Sequence, residues 1–437
     1  MSTTELSPSG DEYELLVSGH DVTAYLTTAG LLPRLADDPA DVIVREVTAG
    51  NMNRVFIARG PLGSVAVKQA PPFVQVAGPE WPIDPARIGA EARAYELLAG
   101  LVPDAVPAIE LVDLERFVMV MEDLSDLEVV RDVLVDEIAT GGASTIDFDN
   151  LGAVVGRFIG ELTLATSEGR LGSEAHAELV ATAANPELCA LTVDVVLDEP
   201  YREHEHNHWH PVLDDEVRAL YTDEALAAAV LIVRDTFDTR AEALLHGDLH
   251  TGSVMVGTRD GVQAVKVFDP EFSFVGPIGM DLGLFWANLT IASVAARAVG
   301  RDQLADDRLR AIDASWDAFA AVWDAPGARD AAAVSSTPLE SIRSDAWRFA
   351  GVEAMRRVVG YSHAADLETL PAEVQADAHR AVFDLARHWI LTGEPAPDAA
   401  PDAAPDAAPA SASAPVGTTR AATTSSDPTD PAPKEQS

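Results

Sequence analysis

Cysteine is all but missing from this sequence. Cys189 stands alone in 437 residues, which excludes an intramolecular disulfide and any cysteine metal cluster. Positive charge is scarce too: 30 basic side chains face 71 acidic ones, a formal net charge of −41. That balance argues against nucleic acid as a partner, because phosphate contacts need a basic face. An anionic membrane surface is disfavoured for the same reason. No uninterrupted apolar run approaches the roughly eighteen residues of a membrane span. Residues 1–21 are polar and acidic, without the apolar centre of a signal peptide. A cytoplasmic protein without membrane contact is the expectation. With 47% hydrophobic residues the chain can bury a sizeable core, so global disorder is excluded.

Lysine is the scarcest cation, found only at 68, 266 and 434; the other 27 basic residues are arginine. A lysine kept under such a bias marks a place where a compact charge on a thin stem serves and a planar fork does not.

The pattern along the chain suggests an α+β, two-lobed, kinase-like plan. Residues 1–123 form the expected N-terminal lobe, with short β-rich runs at Val42–Val44, Val55–Ala58, Val65–Val67 and Phe117–Met121. Gly60-Pro61-Leu62-Gly63 reads as a hairpin turn, and residues 85–99 as a helix. Residues 124–394 are mostly helical, with apolar spacing near 3.6 at 151–163, 223–245, 277–299 and 371–391. One hairpin interrupts them, Ser253–Val256 and Val262–Phe268 around Arg259-Asp260-Gly261. Residues 395–437 repeat Pro-Asp-Ala-Ala and then run in Ser, Thr, Ala and Pro; such a tail has little to bury and is expected to be disordered. It holds six acids and two bases, so the remainder of the chain carries −37 of the charge.

The densest chemistry lies at His246-Gly247-Asp248-Leu249-His250-Thr251-Gly252-Ser253 and at Phe268-Asp269-Pro270-Glu271-Phe272. Phosphoryl transfer to a hydroxyl needs a carboxylate near the attacking oxygen and oxygen ligands for Mg²⁺. Asp248, on a glycine-containing loop before the hairpin, suits the first role. Asp269, after its second strand, suits the second, with Glu271 two residues on.

These strings resemble the aminoglycoside phosphotransferase-like kinases. Together with Gly276-Pro277-Ile278-Gly279-Met280-Asp281 they look most like the S-methyl-5-thioribose kinases within that family, which carry Asp-Pro-Glu and have Ser, here Ser253, in place of a metal-binding Asn. The resemblance implies that Asp269 and Glu271 hold Mg²⁺ and that Asp248 aligns and deprotonates the acceptor. Gly50-Asn51-Met52-Asn53 resembles the family's nucleotide loop, so Gly50, Asn51 and Asn53 would cover the ATP phosphates. Lys68 would contact the phosphates and pair with Glu91, although Glu96 fits the spacing too. Met121, Glu122, Asp123 and Leu124 resemble the hinge that holds adenine through its backbone. Gly78-Pro79-Glu80-Trp81-Pro82 resembles a tryptophan loop beside the nucleotide. Arg356 and Arg357, with His363 and Asp366 downstream, resemble paired arginines near the sugar site.

Thr337-Pro338-Leu339-Glu340 reads as a capping box with proline at the first helical position, which puts the two arginines late in a helix. Adjacent helical residues diverge by about 100°, so both reach one site only through their long stems or because the helix ends there. Asp281 reads as structural, holding the Asp248 loop from a helix start. The alternating His204, His206, His208 and His210 would share a face if extended, but with no cysteine near they read as a polar loop. The activity implied by the resemblance is transfer of the ATP γ-phosphoryl group to the anomeric hydroxyl of 5-methylthioribose, in methionine salvage, by a homodimer. The alternatives are a related kinase for another sugar or an aminoglycoside, and a nucleotide-binding pseudokinase.

Deleting residues 395–437 is expected to leave turnover and the melting temperature nearly unchanged. A large loss of either would show that the tail packs on the body.

Overall fold

The computed structural model describes residues 14–48, 52–75, 78–325 and 338–396. Gly50, Asn51, Thr337 and all but the first two residues of the expected tail lie outside them. The fold is α+β and two-lobed, of the protein-kinase type: an antiparallel sheet first, then a larger helical portion with small β elements inside it.

The sheet runs β1 (Ile43–Val47), β2 (Arg54–Gly60), β3 (Gly63–Gln69), β5 (Val118–Glu122), β4 (Ile109–Asp113) in spatial order. Pro61 and Leu62 turn the chain between β2 and β3, with Gly60 opposite Gly63. Side chains alternate across a strand, so β3 sends Val65 and Val67 to one face and Ala66 and Lys68 to the other. Val65 and Val67 join Phe56, Val118 and Val120 in an apolar cluster covered by α1 (Gly19–Thr28) through Val22, Tyr25 and Leu26. That helix is absent from the sequence reading, although Val22, Tyr25 and Leu26 have helical spacing. Ser18 caps it by accepting from the Asp21 amide. The opposite face, with Ala66 and Lys68, lines a cavity. Beside it lies α2 (Arg87–Leu101), which buries Ile88, Tyr95 and Leu98 in the main core.

The helical portion is built on close contacts. α3 (Phe148–Thr166) carries Gly152 and Gly156 one turn apart, and both press on the helix Asp302–Trp323. A Cβ at Gly156 would stand 2.0 Å from the Ser315 carbonyl oxygen, so only glycine permits this approach. The helix Gly279–Ala298 is as long and apolar as a membrane span, contrary to the impression from uninterrupted runs. It is 89% buried along that stretch, which makes it the core helix of this lobe. Trp286 on it is fully buried and donates to Ser315 Oγ.

The expected helix over 223–245 is corrected. It runs only from Glu224 to Thr239, and Ala243–Leu245 form a strand paired with Phe274–Gly276. An apolar run of three residues has no period of its own, and here the cross-chain partner decides. The hairpin forms as expected from Val254–Arg259 and Val262–Val267. Asp260 and Gly261 both have positive φ, 52° and 77°, as a two-residue primed turn requires.

Candidate active site

The loop after Leu245 is held from below by one carboxylate. Asp281, fully buried near the start of the core helix, accepts from the His246 amide (2.7 Å) and the Gly247 amide (3.0 Å). This is the structural role expected for it. His246 bonds the Phe268 carbonyl through Nε2 (2.9 Å), tying this loop to the one that carries Asp269. Gly247, with φ of 87°, is the point of closest approach. A Cβ there would meet the Phe272 carbonyl oxygen at 2.1 Å, so the two loops can pack only over a glycine. Ser253 donates to the Asp248 carbonyl (2.8 Å) and closes the turn. Burial drives His250 down to about 4, so its ring is neutral. Its Nδ1 accepts from the Gly252 amide, which leaves Nε2–H facing Asp248 Oδ2 at 3.5 Å.

Across the cavity, Lys68 Nζ pairs with Glu91 (2.8 Å) and with Asp269. Glu91, not Glu96, is therefore the helix partner. Burial works against the lysine's charge, but Asp269, Glu91 and Glu271 outweigh it and hold Lys68 well above its ordinary value. Burial likewise works against Asp269, and Lys68 holds it below the usual range. Asp269 sits at φ 68°, unusual for a side chain with a Cβ, with its amide donating to Tyr95 Oη at 2.8 Å. Glu271 is pushed up to about 8 by burial and by Asp269 beside it. Oxygens of Glu91, Asp269 and Glu271 lie within 4.8 Å of one another. Lys68 engages Glu91 and Asp269 alike, and Asp269 and Glu271 are the two of the three that one loop carries. Hard carboxylate oxygens crowded together in this way fit a small dication.

Asn53 is buried and bridges the two lobes. Its Nδ2 donates to Glu271 (2.9 Å), and its Oδ1 accepts from Arg87 (2.9 Å). Arg87 also donates to the carbonyls of Met52, Pro71 and Asp84. No motif marks Arg87 in the sequence. Met121, Glu122 and Leu124 line the cavity. Asp123 does not: its carboxylate turns to Arg59 (2.9 Å) and the Ser125 amide. Burial would raise it, yet hydrogen bonds from Ser125, Ser64 and Arg59 hold it down to about 2. Its side chain therefore has a local structural job.

The paired arginines reach one site by sharing one carboxylate. Glu353 lies three and four residues before them on the helix Leu339–Val359, the spacing that puts side chains on one face. It accepts from Arg356 Nε (2.6 Å) and Arg357 Nε (2.8 Å), and Asn288 Nδ2 adds a third contact (3.2 Å). Both arginines line the cavity, and Arg356 Nη2 stands 3.9 Å from Asp248 Oδ1. Burial opposes the charge on Glu353, but Arg356 and Arg357 outweigh it and hold its carboxyl well below the usual range. Glu353 was not singled out in the sequence, although its spacing to the arginines is a readable signal. The helix begins at Leu339 with Pro338 as its cap residue, so Pro338 is not its first helical position.

Trp81 lines the same cavity and stacks on His206 at 6.0 Å, with Tyr361 edge-on at 5.8 Å. His204 and His206 both face Glu199, at 3.6 and 3.0 Å. His204 Nδ1 already accepts from the His206 amide, so the run is a hydrogen-bonded loop that backs the tryptophan. The cavity has a volume of about 1110 Å³ and is bounded by Lys68, Asp269, Glu271, Asp248 and both arginines. It has room for a nucleotide and a small acceptor together.

The model of the phosphotransferase enzyme family matches residues 43–321. Curated relatives include the methylthioribose kinase of Geobacillus kaustophilus, 35% identical over 340 residues, which cover 76% of this chain and 82% of that one. The methylthioribose kinase of Bacillus cereus is 35% identical over 338 residues, covering 76% and 82%. Among solved structures, an ethanolamine kinase of Plasmodium vivax overlaps 84% of this chain and 87% of its own at 8% identity, with a TM-score of 0.45.

Removing the charge of Glu353 leaves two buried guanidinium groups without their partner. Glu353→Gln is expected to cost about 3–5 kcal/mol of stability. Because the Glu353 carboxyl is depressed, its stabilisation is complete above the unfolded-state value of about 4.3 and fades as pH falls through the folded value. Melting temperatures of the parent and Glu353→Gln should therefore differ by a constant gap from pH 6 to 8, and the gap should narrow only below about pH 4. Equal melting temperatures at neutral pH would contradict this role.

Proposed function

The chain belongs to the phosphotransferase enzyme family and, within it, to the methylthioribose kinases; from that premise we propose that it transfers the γ-phosphoryl group of ATP to the anomeric hydroxyl of 5-methylthioribose, a step of methionine salvage. The observation that carries this reading is the shared cavity. Asp248, the two arginines, Lys68, Asp269 and Glu271 all line it.

In this reading Asp248 aligns the anomeric hydroxyl and takes its proton as the oxygen attacks the γ-phosphorus. The new C1–O–P linkage forms as the bond from phosphorus to the β-phosphate oxygen breaks, and ADP leaves. Lys68, kept charged by Glu91 and Asp269, orients the phosphates. Arg356 and Arg357 offset the charge that develops on the transferring group. Asp269 and Glu271 are the residues that would hold Mg²⁺, which when bound offsets charge on the phosphate oxygens. Met121, Glu122 and Leu124 would receive the adenine through the hinge backbone, while Asn53 positions Glu271. Leu284, Phe349 and Val352 line the cavity and offer an apolar wall to the methylthio group. The reading includes a cytoplasmic homodimer with lobes meeting near residue 123.

The test is phosphorylation of a sugar panel by purified protein. Methylthioribose should be used at least about 10-fold better than ribose, since filling a small apolar pocket discriminates by about 1–3 kcal/mol. Asp248→Asn keeps the size of the side chain and removes the base. It should still bind MgATP and sugar while losing about 10²–10⁴ in turnover. Equal efficiency on both sugars would overturn the acceptor assignment, and full turnover in Asp248→Asn would overturn the role of the aspartate.

A further inference from the structure

Beyond the arginine helix the chain runs through Gly360, Tyr361, Ser362 and His363 into a short helical turn, Ala365–Glu368. This segment is pinned at several points. Arg357 donates to Ser362 Oγ (3.3 Å), and the Ala364 amide donates to the Arg357 carbonyl (3.3 Å). His363 bonds Glu368 through Nδ1 (2.7 Å) and the His208 carbonyl through Nε2 (2.7 Å). Its position is therefore set by contacts on both sides. From it Asp366 faces the same cavity as Asp248 and the arginines.

Asp366 is only 6% exposed, and its Oδ1 is buried without a hydrogen-bond partner. A buried carboxylate oxygen left unpaired is costly and calls for a donor. Arg308, Arg131 and Arg357 are the cations that act on it, yet among the described residues none forms an ion pair with it. Arg308 spends its terminal nitrogens on the carbonyls of Ala292 and Leu134 and on Glu137 (3.0 Å). A structural counter-ion would be engaged by one of these groups. Burial pushes Asp366 up to about 6 against their pull and that of its own backbone amide, while Oδ1 keeps no hydrogen-bond partner.

The chemistry of the missing donor follows. An anion is excluded by the charge of Asp366 itself. A cation is disfavoured because the charges of three arginines already act on the position. A neutral hydroxyl remains. On the reading that the acceptor is a pentose, we propose that Asp366 is a specificity-determining residue, whose unpaired oxygen accepts a hydrogen bond from a ring hydroxyl of the sugar other than the anomeric one addressed by Asp248.

The experiment compares 5-methylthioribose with its 2-deoxy and 3-deoxy analogues, using the parent, Asp366→Ala and the volume-conserving Asp366→Asn, with melting temperature measured alongside. A hydrogen bond to a charged acceptor predicts that the parent prefers the full sugar over one deoxy analogue by roughly 10- to 100-fold in kcat/KM. Asp366→Ala should raise the sugar KM by about the same factor and lose that preference; Asp366→Asn, whose neutral carbonyl still accepts, should fall between the parent and Asp366→Ala; both should keep the MgATP KM within about twofold. A parent that uses both deoxy analogues as well as the full sugar overturns the inference without any variant. So does a folded Asp366→Ala that keeps the preference, or a variant that changes stability and both KM values alike. A parent active only on an unrelated acceptor would overturn the pentose reading as well, which sets that failure apart from failure of this inference.

Discussion

A chain with a net charge of −41 that handles a triphosphate must keep its few working cations charged and aimed. The global field repels such a ligand, so the attraction has to be local. The structure meets this constraint with buried carboxylates. Glu91 holds Lys68, and Glu353 holds Arg356 and Arg357. Each cation sits in a largely buried wall where its charge would be unfavourable alone. The same acidic composition that looks hostile to ATP thus supplies the partners that keep its receptors in place.

Backbone positions in the site follow a similar logic. Asp281 grips two successive amides of the loop that carries Asp248, and Gly247 lets that loop lie against the Phe272 carbonyl. The loops bearing Asp248 and the carboxylates Asp269 and Glu271 are consequently one packed unit, tied again by His246 to Phe268. Asn53 extends the unit to the sheet by bonding Glu271 across 218 residues of sequence. A shift in any of these contacts would move Asp248 and the Asp269–Glu271 pair together.

Much of this was legible in the sequence. The β3 run before Lys68, the His246–Ser253 and Phe268–Phe272 strings and the hairpin between them lie where their residue types place them, because each is a local pattern. Lys68 stood out further through the scarcity of lysine. The long-range partners were not legible. Arg87 is one arginine among 27, and its acceptors come from three separate segments. Leu244 and Leu245 read as the end of a helix until the strand Phe274–Gly276 paired with them. The side-chain partner of Asp123, Arg59 on β2 of the same sheet, was equally invisible. Glu353 is an intermediate case, since its spacing to both arginines was visible while its burial was not.

The central claim is that this cavity directs a phosphoryl group to the first carbon of a pentose. Phosphorus and proton nuclear magnetic resonance of the product, made from ATP and 5-methylthioribose by the purified protein, tests it most directly. The account predicts a single phosphate coupled to the proton on C1, with the methylthio group intact. A phosphate on C2 or C3, or ATP consumed without any sugar phosphate, would contradict it.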